Sequence, residues 1–284
     1  MIRPQPIPGP EWSERLVDVD GLATHYREAG RPGRPQVVLI HGGGAGADSS
    51  GNWRYTVPLL SHEFHLFALD MVGFGRTAKP DASSYSYSQH GRNLHLAGFL
   101  RALDLEGASL VGNSMGGATA LGVAMEHPDL VSRLVLMGSA GLVAEITEHL
   151  KPIIFYDFTL DGMQRLVTAL TSSKFHVSSE LVKLRYELSI QPETRRAYAA
   201  MMQWIRDQGG LSYPEDAIRT VKTPTLVING KEDVVVPLSN AYRFLELLEN
   251  SWGYFIPHCG HWAMIETPHD FAFAVRGFLA SGAA

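Results

Sequence analysis

The segment that most restricts the fold lies near the middle of the chain. Ala108–Val111 is a short apolar run, and Gly112-Asn113-Ser114-Met115-Gly116 follows it directly. A helix of small residues then extends to His127, where Pro128 stops it. Strand, tight turn and helix in this order belong to a buried sheet covered by helices. The turn is so sharp that side chains beside the serine would strike the neighbouring strand or helix, which explains a glycine on each flank. A glycine-rich turn with an incidental serine is the plainer alternative, and the strand before and helix after argue against it.

The rest of the chain repeats this rhythm. Arg15–Asp18 and Leu22–Arg27 are separated by Asp20-Gly21, a hairpin signal, after a proline-rich stretch over residues 1–13 that reads as an extended arm. Gln36–Ile40 and His65–Leu69 are continuous apolar runs, as expected of strands buried on both faces. Leu96, Phe99, Leu100 and Leu103 repeat at helical spacing. Further strands are expected at Leu134–Met137, Thr225–Asn229 and Trp252–Ile256, and a last helix carries Phe271, Val275, Phe278 and Leu279. Between Gly141 and about Leu211 the pattern changes to helices alone, at Gly162–Leu170, Glu180–Ile190 and Thr194–Asp207. Strands alternating with helices imply an α/β fold with a mostly parallel sheet. Residues 1–140 and 212–284 are read as its core, and 141–211 as an inserted helical lid.

A chain of 284 residues with 45% hydrophobic and 19% charged residues has the material for one such sheet and its core. The net charge of −5, without a run of Lys or Arg, gives nucleic-acid binding little support. A single cysteine, Cys259, excludes an intrachain disulfide. The stretch MIRPQPIPGPEW lacks the apolar region of a signal peptide, and no apolar run is long enough to span a bilayer. A soluble cytoplasmic protein without membrane partners is expected.

Gly112–Gly116 fits G-x-S-x-G, the turn that carries the nucleophile in the α/β-hydrolase fold. A serine hydroxyl is a weak nucleophile and needs a base, itself oriented by a carboxylate that precedes it in the chain. Asp233 follows the Thr225–Asn229 run, with Glu232 as the competing carboxylate. His261 follows the Trp252–Ile256 run, with His258 as its rival among 12 histidines. Developing negative charge on the attacked carbonyl requires two backbone N–H donors. The amide of Met115 supplies one, and the His41-Gly42-Gly43-Gly44 loop is placed to supply the other. That loop lacks the phosphate-binding G-x-x-x-x-G-K-[ST] pattern. No dinucleotide fingerprint or metal-ligand spacing is found, so the chemistry reads as free of cofactor and metal.

The segments HGGGAGADSSGNW, LVGNSMGGATAL, LVLMGSAGL, GKEDVVVP and CGHWAMIE resemble the meta-cleavage product hydrolases, from about Val37 to the last helix. That family hydrolyses a carbon–carbon bond in vinylogous 1,5-diketones made by ring-cleaving dioxygenases. The resemblance implies Ser114, Asp233 and His261 as triad and Gly43 and Met115 as oxyanion hole. It also implies Asn52, Asn113, Arg185 and Trp262 around the dienoate end of the substrate. Arg185 matches through Leu184-Arg185-Tyr186-Glu187, and a solvated charge or an ion pair with Glu187 or Glu180 is its alternative. Gly42 and Val235 are placed with the substrate-binding residues. The segment GLVAEITEHLKPIIFYDFT resembles members acting on bicyclic ring-cleavage products, such as those of carbazole or dibenzofuran. Ile153, Ile154, Phe155 and Leu170 would then suit an aryl group, or simply pack the lid. A homo-oligomer is implied by resemblance alone. A carboxylesterase or perhydrolase shares the triad, and a ligand-binding receptor on the same scaffold is the alternative of another class.

Overall fold

The computed structural model describes residue 9 and residues 11–281. The arm read over residues 1–13 therefore falls largely outside the described residues. The first two strands, β1 (Ser13–Val19) and β2 (Leu22–Ala29), form the expected hairpin. Asp20 and Gly21 both take positive φ, 51° and 83°, the tight turn whose twist matches that of the flanking strands.

Next come β3 (Gln36–Ile40), helices α1 (Ser49–Trp53) and α2 (Val57–Leu60), β4 (His65–Leu69) and α3 (Gln89–Ala102). The central unit is β5 (Ala108–Asn113), α4 (Met115–Glu126) and β6 (Val131–Met137). Beyond β6 lie β7 (Leu142–Val143), α5 (Lys151–Ile154), α6 (Leu160–Ala169), α7 (Ser179–Ser189), α8 (Pro192–Gln208) and β8 (Leu211–Ser212). The chain closes with α9 (Glu215–Ile218), β9 (Thr225–Gly230), α10 (Leu238–Leu247), β10 (Ser251–Ile256), α11 (Ala263–Glu266) and α12 (Pro268–Ala280).

Eight strands make one sheet in the order β1-β2-β4-β3-β5-β6-β9-β10. It is antiparallel at β1, β2 and β4 and parallel from β4 to β10. Its centre is fully enclosed: Val37, Val38, Leu39 and Ile40 have no exposed surface. Each contributes about 1.5–3 kcal/mol by leaving water. That burial on both faces is why the strands read as unbroken apolar runs.

Parallel strands send all their carboxyl ends to one side, where an open α/β sheet gathers its site. The turns after β3, β5, β9 and β10 all emerge there. The segment between β6 and β9 is helical as expected, but β7 and β8 pair antiparallel at its two ends. Two residues are too few to show a period of two, so neither strand is visible in the sequence. Among the described residues, no helix is long and apolar enough to cross a membrane.

Candidate active site

Ser114 sits between β5 and α4 with φ 55° and ψ −118°. An L-residue rarely adopts that conformation, and it persists only where the surroundings impose it. The packing does so here. A methyl group on Gly116 would strike the carbonyl oxygens of Ile40 and His41, and one on Gly112 would lie 2.5 Å from the Gly116 carbonyl. Strand and helix meet so closely that the serine alone projects from the turn. It is half-buried and faces a cavity.

Asp233 is buried in the loop after β9. Its Oδ1 accepts from the amides of Val235 and Val236, both at 2.9 Å. Its Oδ2 lies 2.7 Å from His261 Nδ1. The carboxylate is thus held by backbone on one side and orients the imidazole with the other. His261 is 1% exposed, lines the same cavity as Ser114, and its Nε2 has no hydrogen-bond partner among the described residues. Contact between Nε2 and the Ser114 hydroxyl is not closed in this state, as is common before substrate binds. The competing residues pair with one another instead. Glu232 Oε1 faces His258 Nδ1 at 3.3 Å on the outer side, where His258 is exposed.

The loop after β3 completes the wall. Gly42, Gly43 and Gly44 line the cavity, as does Met115 at the start of α4. A methyl group on Gly43 would meet the Met115 side chain, so the two segments touch. His41 braces this loop from behind: Nδ1–H donates to the Gly42 carbonyl at 2.7 Å, and Nε2 accepts from the Met71 amide at 3.0 Å. Burial lowers its pKa below the ordinary histidine value, against the pull of Asp70, which fits the neutral ring these bonds require.

Asn113 and Asn52 lie just behind Gly42. Asn113 Oδ1 would be 2.7 Å from a Cβ there, and it accepts from Asn52 Nδ2 at 3.3 Å. Both are buried. Arg185, on α7, is buried and forms no salt bridge among the described residues. Its Nη2 donates to the Ala45 carbonyl at 2.9 Å, and its Nε has no partner. Its guanidinium lies 4.9 Å from the Trp262 ring centre. A Cβ on Gly44, which lines the cavity, would be 3.0 Å from its Nη2. Burial brings its pKa down to about 10, so the group stays charged at neutral pH. The surface ion pair with Glu187 or Glu180, open from the sequence, is not formed; Glu187 faces Lys183.

Apart from Ser114, His261 and the glycines, the cavity wall is mostly apolar. Ile153, Leu170, Val235 and Trp262 line it as the sequence suggested, together with Ile154. Phe155 does not. It follows the last residue of the four-residue helix α5, the residue is 55% exposed, and the Arg206 guanidinium lies over its ring. One further step around the helix turns it from the cavity to the surface. The sequence reading missed Ile146 and Leu150, and Met202 and Ile205 on α8. The three-residue spacing of the last two along a helix was the available signal. Among the described residues no group of three His, Cys, Asp or Glu could hold a metal ion.

The α/β-hydrolase fold family matches residues 35–268. The chain is 56% identical to the 2-hydroxy-6-oxo-6-(2'-aminophenyl)hexa-2,4-dienoic acid hydrolase of Metapseudomonas resinovorans, over 94% of this chain and 90% of that protein. Among solved structures, a serine hydrolase involved in carbazole degradation, the CarC enzyme, matches with a TM-score of 0.86 and 51% identity. The match covers 95% of this chain and 99% of that one. The meta-cleavage product hydrolase CumD from Pseudomonas fluorescens IP01 matches with a TM-score of 0.87 and 35% identity, over 94% and 97%. Fold, site geometry and relatives agree, and the chain belongs to the meta-cleavage product hydrolases of the α/β-hydrolase fold.

Proposed function

We propose that this enzyme hydrolyses 2-hydroxy-6-oxo-6-aryl-hexa-2,4-dienoates to 2-hydroxypenta-2,4-dienoate and an aromatic carboxylic acid. The aryl group belongs to the class set by bicyclic ring-cleavage products. The observation that carries this reading is the mixed wall of one cavity. Ser114, His261 and Trp262 line it together with apolar side chains such as Ile153 and Leu170, and a buried arginine with no acidic partner among the described residues packs against two of its wall residues, Trp262 and Gly44. A substrate that carries a carboxylate, an aryl ketone and the scissile bond between them fits that set of groups.

In this reading Arg185 holds the carboxylate through its planar fork, with Trp262 stacked against it. Asn52, Asn113 and the Gly42 backbone adjoin the 2-hydroxy end. Ile153, Leu170 and Val235 take the aryl group, and residues 141–211 act as a lid over it. The reaction starts with ketonisation of the dienol. A proton delivered to the carbon beside the scissile bond makes the leaving fragment a stabilised carbanion equivalent, and His261 carries that proton. The C6 carbonyl is then attacked by the Ser114 oxygen, while the Gly43 and Met115 amides stabilise the oxyanion, each worth about 3–4 kcal/mol. Collapse breaks the carbon–carbon bond and leaves an acyl-enzyme, which water cleaves with His261 as base. Attack by water through a gem-diol is the competing route. Asp233 orients His261 and stabilises its charged form. A homo-oligomer completes the reading and rests on family resemblance alone; a cytoplasmic location fits the single cysteine.

The test is a stopped-flow absorbance trace with the yellow ring-cleavage product of 2,3-dihydroxybiphenyl. Wild type should bleach it over many turnovers and release benzoate. Ser114→Ala should bind it and shift its spectrum without cleavage. An intact chromophore beside rapid hydrolysis of simple aryl esters would replace this reading with a carboxylesterase. A single turnover followed by retention would favour a receptor.

A further inference from the structure

Ser172 lies just beyond α6, two residues past the cavity residue Leu170, and its backbone rests directly on the loop that carries His261. A Cβ on Gly260 would be 2.5 Å from the Ser172 amide nitrogen and 2.7 Å from the Thr171 carbonyl carbon, so only glycine at 260 allows the approach. One side chain joins the two segments. Glu266, at the end of α11, accepts from the Ser172 amide at 3.0 Å through Oε2 and from the Gly260 amide at 3.1 Å through Oε1. Its two oxygens each bind a different element: one the helical segment, one the residue before the catalytic base. The carboxylate is half-buried, and burial raises its pKa while these N–H donors pull the other way. A buried acid fixed by two backbone donors is a rigid link.

We propose that Glu266 is a positioning residue for His261, fastening residues 171–173 to the 259–261 loop so that the imidazole is aligned only while the helical segment is seated. Glu266 touches no substrate. It acts through Gly260, whose amide it holds one residue before the base. An outer link of this kind, Ser173 Oγ to Glu232 Oε2 at 3.3 Å, runs beside it on the loop that carries Asp233. When the helical segment lifts, Glu266 loses one of its two donors and the His261 loop loses its brace. Base alignment and cavity closure become one event, so the nucleophile is not activated in an open, wet site.

Glu266→Gln keeps the size but presents one acceptor and one N–H group to two donors. Ser172→Pro removes the donor on the helical segment and sets its ring carbon where that N–H met Glu266. Both variants are assayed with p-nitrophenyl acetate, with active sites counted by an organophosphate that labels Ser114. Ester hydrolysis needs Ser114 and His261 but not the dienoate reading. A wild type that cleaves the ester and ignores the dienoate therefore overturns the substrate assignment and leaves this test intact. The expected result for each variant is a fall in kcat/KM per active site of about ten- to a hundredfold, the scale of a misplaced catalytic group. The limb of the pH profile that reports the base should move as well. The double variant should be no worse than the poorer single one, since both cut one link. A lowered Tm with kcat/KM and pH profile unchanged, or losses that multiply in the double variant, overturns the proposal. If Glu266→Gln does not fold, Ser172→Pro decides on the same readouts.

Discussion

The charged group that stands out is Arg185, because its surroundings do so little to satisfy it. One carbonyl accepts from it, an indole lies against it, and Nε has no partner. A buried charge in that condition is costly unless something else neutralises it, and a substrate carboxylate would. Arg185→Met should therefore raise KM for the aryl dienoate by about a hundredfold, roughly 3 kcal/mol, while leaving p-nitrophenyl acetate hydrolysis within about twofold. Steady-state kinetics on both substrates separate the two effects, and equal losses on each would remove Arg185 from the substrate. The candidate triad was legible in the sequence because each member follows a strand and the α/β-hydrolase turn implies a chain order. Glu232 and His258 stayed in contention there because nothing in a linear string shows that they face each other on the outside. Arg185 was legible only through resemblance, since helical spacing does not distinguish a guanidinium that turns inward from one in solvent.

At the scale of elements, buried polar groups join the strands beneath the glycine loop. Asp70, at the end of β4, accepts from His25 on β2 at 2.8 Å, from the Ser49 amide that opens α1 at 2.7 Å and from the Arg76 amide at 3.0 Å. Burial alone would raise its pKa, and these donors, His25 first, outweigh it, holding the carboxyl well below the ordinary 3.8. A lowered acid stabilises the fold in full above its unfolded value and loses that contribution as pH falls through the folded one. Asp70→Asn should cost about 3 kcal/mol or more in urea unfolding at pH 7. The gap from wild type should hold down to about pH 4 and shrink below it; a gap that widens on acidification would contradict this account. The helical segment gives a second contrast. Ile153→Ala should raise KM for the aryl substrate several-fold, through about 1–2 kcal/mol of lost apolar contact. Phe155→Ala, at the exposed position just after α5, should leave it within about twofold. Strands buried on both faces announced themselves as apolar runs, with Gln36–Ile40 and His65–Leu69 found at their observed limits. Four-residue helices such as α5 and two-residue strands such as β7 span barely one repeat, so their facing cannot be read from periodicity.

Across the whole molecule, the mostly parallel sheet was implied by alternation of strand and helix, whereas its strand order and the contacts that tie distant segments together were not. Glu266 and Ser172 are separated by 94 positions, and nothing in either neighbourhood names the other. The same holds for the packing that bends Ser114 out of the ordinary backbone range, set by β3 lying against the start of α4. A residue held there costs about 1–3 kcal/mol that glycine largely avoids. Ser114→Gly should then melt a few degrees above Ser114→Ala, even after glycine's own entropic penalty of about 0.5–1 kcal/mol. Differential scanning calorimetry of the two inactive variants decides it, and equal melting points would mean that the turn is relaxed. The proposed nucleophile is thus held at a cost to the fold. A change to glycine there abolishes turnover yet runs downhill in folding free energy, so a lineage that stops using the reaction has a thermodynamic incentive to forget the serine.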